Sequence, residues 1–104
     1  MSPWVLVILA GLLETGWAIG LKYSEGFTRP VPSALTIIGA LASFWLLSIA
    51  MKDLPVGTAY AVWVGIGAVG TAVVAVMLFS EPVTLLRVLG VMLILAGIIA
   101  LKLA

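Results

Sequence analysis

Four apolar blocks run along the chain, and charges or prolines mark every break between them. The first runs from about Trp4 to Leu21, the second from about Pro32 to Met51, the third from about Val56 to Phe79 and the last from about Leu85 to Leu103. Lys22 through Arg29 forms the first polar connection, with Gly26 as its turn residue. Pro30 and Pro32 stop one helix and restart the next, since proline suits a first helical turn. Lys52-Asp53-Leu54-Pro55 is a tight second connection, with Asp53 expected as the N-cap of the helix that follows. Ser80-Glu81-Pro82 makes the third, and Thr84 is expected to cap the last helix. Blocks this long, without alternation, predict helices rather than strands.

Composition places those helices in a membrane. The chain of 104 residues is 64% hydrophobic and 9% charged, where a soluble domain carries about 25% charged residues. In lipid each backbone group must be satisfied within its own segment, which a helix does. The fold class is therefore all-α, an integral membrane protein of four transmembrane helices in an up-down-up-down arrangement. Residues 1–104 form a single domain with no remainder for a soluble part. A basic excess that would suggest nucleic acid is missing at a net charge of +1. With no cysteine and no histidine, neither a disulfide framework nor a histidine-based metal site is expected, and no cofactor is implied. The first segment has no Lys or Arg before it and an acid within it, so it is expected to stay in place rather than be cleaved as a signal peptide.

Charge then singles out one position. Glu14 is the only charged residue between Pro3 and Leu21, a run that spans roughly 29 Å at about 1.5 Å per residue. An acid at mid-span costs roughly 2.5–3.5 kcal/mol on insertion scales, so its presence points to a function. Its helical neighbours Ala10, Gly11, Trp17 and Ala18 include small residues that let another backbone approach and an indole donor one turn away. Ser43 is the hydroxyl near mid-depth in the second helix, on the face that holds Gly39 and Leu47, while Phe44 and Trp45 are expected to face lipid or a partner helix. Tyr60, Trp63, Gly67 and Gly70 share one stripe of the third helix, and both aromatic residues are donors for which Glu14 is the expected acceptor. Gly65-Ile66-Gly67-Ala68-Val69-Gly70 matches a dinucleotide-binding pattern, but no strand precedes it and it lies within a span. Gly65, Gly67 and Gly70 instead read as a bend or close-packing point, with a hinge as the favoured role. Gly90, Leu93, Ile94 and Gly97 in the fourth helix repeat at the spacing of a dimer contact.

Loop charges bear on assembly. With four spans, Lys52 and Lys102 lie on one side and Lys22, Arg29 and Arg87 on the other, two against three. That difference is too small for the positive-inside rule to set one orientation, so insertion both ways round is expected. Four short helices are also too few to enclose a pathway around a buried acid. Two oppositely inserted copies supply eight, one copy acting as the inverted repeat of the other. An antiparallel homodimer follows as the expected partner arrangement.

Several stretches together resemble a known family. The lone Glu14 of the first span, the loop Lys22-Tyr23-Ser24-Glu25-Gly26-Phe27-Thr28-Arg29 and the run Pro55-Val56-Gly57-Thr58-Ala59-Tyr60-Ala61-Val62-Trp63 are similar to the small multidrug resistance transporters. The run from Glu14 to Lys22, with Trp17 three residues after the acid, and Lys102 resemble the guanidinium-exporting subtype. The pair Thr15-Gly16 departs from it, being smaller than the aliphatic pair expected there. The resemblance implies a multi-pass protein of the inner (plasma) membrane, not an enzyme, that exchanges protons for guanidinium or small substituted guanidinium cations. It implies Glu14 as the shared proton and substrate site, with Gly11, Trp17, Ser43, Tyr60 and Trp63 lining it. Two other readings are a multidrug exporter of quaternary ammonium or other lipophilic cations, and a non-transporting small membrane subunit or regulator.

Overall fold

The computed structural model describes residues 2–104. These form four helices, α1 (Pro3–Tyr23), α2 (Pro30–Ala50), α3 (Val56–Phe79) and α4 (Leu85–Leu103). All four are long and apolar enough to cross a membrane, and their outward faces carry large apolar side chains such as Leu12, Leu35, Ile38 and Met77. That outward display is stable in lipid and would not be in water.

Each helix end has a local cause. Ser2 caps α1 by accepting from the Trp4 amide at 3.3 Å, and Pro3 occupies the first turn. The helix continues past Leu21 to Tyr23, where Ser24 ends it. Its Oγ donates to the Leu21 carbonyl at 2.7 Å and accepts from the Phe27 amide at 3.2 Å. The chain then turns through three successive left-handed residues, Glu25, Gly26 and Phe27. Helix α2 begins at Pro30, two residues before the expected start. Both prolines fall in the first turn, where no N–H has an intrahelical partner, so neither interrupts the helix. Asp53 does not cap α3, whose N-cap is Pro55 without a side-chain bond. It belongs instead to the turn closing α2, its amide bonded to the Ala50 carbonyl at 3.1 Å. Thr84 does cap α4, accepting from the Arg87 amide at 3.2 Å. Arg87 also pairs with Glu81 at 3.4 Å on the exposed α3–α4 connection.

Helix α1 packs against both α2 and α3, while the backbone of α4 runs beside α3. The core is built where the first three meet, from Val7, Ala10, Leu47, Ala50, Ala59, Val62 and Trp63. Small residues there set the spacing: Gly20 accommodates Thr36, and Gly39 accommodates Trp17. No residue of α4 is buried. Ile98 and Leu101 reach the core cluster from α4, and Lys102 places its ammonium 4.7 Å from the Trp4 ring centre, tying the end of α4 to the start of α1.

Candidate functional site

Glu14 faces α3 across the middle of the bundle. Its carboxyl rests against Gly67, close enough that a methyl group at that position would overlap it. One turn earlier Gly11 makes room for Ile66 in the same way, a Cβ there lying 2.6 Å from Ile66 Cγ2. Gly70 receives the Thr15 hydroxyl. Helix α1 thus meets α3 along facing small residues, and the acid sits where α3 has no side chain.

Two buried polar atoms at this place have no hydrogen-bond partner, Glu14 Oε2 and Trp17 Nε1. One is an acceptor, the other a donor, and they lie one turn apart on α1. Buried polar groups are nearly always paired, and in lipid the penalty for leaving one open is larger than at a water-filled surface. Glu14 Oε2 is an acceptor held against α3 at Gly67, and Trp17 Nε1 is a donor on the part of α1 that meets α2 at Gly39.

The remaining expected residues gather close by, but not all in the expected bonding. Trp63 gives its indole N–H to Ser43 Oγ at 2.9 Å, not to Glu14. Ser43 in turn donates to the Ala10 carbonyl at 2.6 Å. Helical geometry pairs that same carbonyl with the Glu14 amide, so the chain Trp63–Ser43–Ala10 supports the backbone of the acid rather than its carboxyl. The reason is that α2 and α3 also meet directly at the core, which puts Ser43 within reach of the indole. Tyr60 is 53% exposed and packs its ring 5.5 Å from that of Trp63.

Phe44 is about half exposed, as expected of a residue that faces lipid or a partner helix, and its ring also packs against the site. Its ring stands edge-on to Trp17 at 6.2 Å and to Trp63 at 5.7 Å. Trp17, Phe44, Trp63 and Tyr60 therefore form one continuous aromatic series from α1 through α2 to α3. Two sequence signals lay beside Phe44: Ser43 next to it and Gly39, which lets Trp17 approach α2.

The glycines of α3 and α4 occupy unlike surroundings. Helix α3 is unbroken through Gly65, Gly67 and Gly70. Gly65 lies under Ile94 and Ile98 of α4, with a Cβ there 2.9 Å from Ile98 Cδ1. Ile94 is thus used within the chain, although its spacing grouped it with the dimer-contact candidates. Gly90 and Gly97 have nothing within 4 Å of a Cβ, and Leu93 between them is 73% exposed.

Comparison with known proteins agrees with this architecture. The family model described as Small Multidrug Resistance protein matches residues 2–94. A protein of Yersinia pseudotuberculosis named guanidinium exporter is 59% identical over 101 residues, 97% of each chain. Proteins of the same name from Proteus vulgaris and Salmonella typhimurium are 54% and 55% identical over 101 residues, again 97% of this chain, and 97% and 96% of theirs. A multi-pass membrane protein with one acid at mid-span, matched over nearly all its length, leaves no ambiguity of kinship: the chain belongs to the small multidrug resistance family.

Proposed function

We propose that this chain exports guanidinium from the cell in exchange for protons, as an antiparallel homodimer in the inner (plasma) membrane, with Glu14 binding both cation and proton. The observation that carries the reading is the unpartnered acceptor Glu14 Oε2, on a carboxyl seated against the bare Gly67 position of α3. Guanidinium is planar, and its paired N–H groups match the two oxygens of a carboxylate. It is also weakly hydrated, so bringing it into a dry site is less unfavourable than for an ammonium ion. Relatives 54–59% identical to this chain carry the name guanidinium exporter, which supports the same substrate here.

Proton coupling follows from shared oxygens. A proton and a guanidinium ion cannot both occupy the Glu14 carboxylate, so each displaces the other. When the site turns only with its charge neutralised, an inward proton gradient drives cation export. The bare outer face of α4 at Gly90, Leu93 and Gly97 supports a second copy, and the nearly balanced loop charges support opposite insertion. Two copies bring two Glu14 side chains to one pathway. Gly67 and Gly70 form the smooth face of α3 that meets the acid-bearing turn of α1, Gly65 forms the one that meets α4, and together they are the proposed hinge of the cycle.

Proteoliposomes loaded with a pH-sensitive dye test the reading. Guanidinium added to wild type is expected to drive a proton flux, and Glu14→Gln to abolish it. The aromatic series favours one competing outcome, since Trp17, Phe44, Trp63 and Tyr60 could stack on a quaternary ammonium ion. Flux driven by tetraalkylammonium and not by guanidinium would replace this reading with multidrug export.

A further inference from the structure

Thr15 follows the acid, and its hydroxyl is placed between two backbones. Oγ1 lies 3.4 Å from the Gly67 carbonyl of α3 and 3.5 Å from the Gly11 carbonyl of its own helix. Both are longer than the usual O–H···O bond of about 2.5–3.0 Å, so the hydroxyl makes a weak three-centre contact with two acceptors. The hydroxyl also sits directly over Gly70, where any side chain would collide with it. Glu14 and Thr15 therefore dock on successive bare positions of α3, the carboxyl on Gly67 and the hydroxyl on Gly70. Gly67 meets both residues, the carboxyl at its Cα and the hydroxyl at its carbonyl.

From this juxtaposition we infer that Thr15 is a positioning residue for Glu14, holding the acid-bearing turn of α1 on α3 through the Gly67 carbonyl and so fixing the plane that the carboxylate presents to a guanidinium ion. The inference rests on the transport reading above and adds to it a specificity element. A two-pronged pairing needs both carboxylate oxygens in the plane of the cation. A turn of helix free to roll on a glycine face would present that plane over a range of angles. Thr15 removes the freedom with one hydroxyl, and it touches neither the cation nor the reacting oxygens.

The test is guanidinium-driven proton flux in proteoliposomes for wild type, Thr15→Val and Thr15→Ser. Valine has the shape of threonine without the donor, whereas serine keeps the donor. Thr15→Val is expected to raise KM for guanidinium about threefold, the factor that an average intramembrane hydrogen bond represents, with kcat unchanged. Loss of binding energy common to the bound states appears in KM, whereas general loosening of the bundle would lower kcat. Thr15→Ser is expected to restore the wild-type KM. An unchanged KM in Thr15→Val, a parallel fall in kcat, or failure of serine to restore KM would each overturn the inference. A wild type that moves no protons with guanidinium would overturn the transport reading and this inference with it. A working wild type beside an identical Thr15→Val would overturn this inference alone.

Discussion

The seam between α1 and α3 and the outer face of α4 are built from the same residue type and end in opposite states. Along the seam every small residue has an occupant: Gly11 takes Ile66, Gly67 takes the Glu14 carboxyl and Gly70 takes the Thr15 hydroxyl. On α4, Gly90 and Gly97 meet nothing within 4 Å, and no residue of the helix is buried. An apolar groove of about 540 Å³ also opens between α3 and α4, lined among others by Val73, Val76, Met77 and Val91. Glycine spacing alone does not say whether a helix face is used. What decides it is whether the same chain supplies the side chain that fills the gap. The seam is complete in one copy because it must hold a carboxyl at a set place. The α4 face is left unfilled by its own chain, which supports the proposed pairing of two copies there.

Substitutions at the two places should therefore separate. The largest effect is expected at the seam. Gly67→Ala puts a methyl group where the Glu14 carboxyl now rests, and displacing that group by about 1 Å should lower guanidinium transport on the order of tenfold to a hundredfold. Gly16→Ala, on the same helix as the acid but with nothing within 4 Å of a Cβ, is the control and should transport as wild type. Equal losses in both would show that transport is sensitive to any added methyl group in the bundle, and that the contact at Gly67 is not special.

A smaller effect is expected on α4. Gly97→Leu should leave helix content intact, leucine being the better helix former. It should weaken the dimer about tenfold, roughly 1.4 kcal/mol, by blocking close approach of a second helix. Single-molecule association measurements in lipid bilayers check this. Unchanged association would mean that Gly97 faces lipid in the assembly and that the pairing surface lies elsewhere.

Much of the fold was legible in the residues. Every charge but Glu14, and every proline, falls at or beyond the ends of the spans, because lipid disfavours them elsewhere, and Thr84 caps α4 as its position suggests. The start of α2 was less legible, since Pro30 and Pro32 read as a break when both in fact fit a first turn. Asp53 has the chemistry of a cap but sits two residues too early, inside the turn that closes α2. The site divides in the same way. Glu14 stands out by charge and Trp17 by spacing from it, since both signals lie within one helix. The partner of the Trp63 indole does not, because it depends on where α2 and α3 meet, which no periodicity within a helix encodes. Phe44 and Thr15 were missed for that reason too. Thr15 is placed by a glycine on another helix, Gly70 under its hydroxyl, and Phe44 by Trp17 of α1, whose approach Gly39 of α2 permits.

The central claim is that guanidinium and the proton take the same carboxylate, and binding measured together with proton release tests it most directly. Purified protein titrated with guanidinium in weakly buffered solution should release protons as the cation binds, and the apparent affinity should weaken as the solution is made more acid. Glu14→Gln should neither bind guanidinium nor release protons. Guanidinium bound without proton release, or bound equally well by Glu14→Gln, would contradict the account.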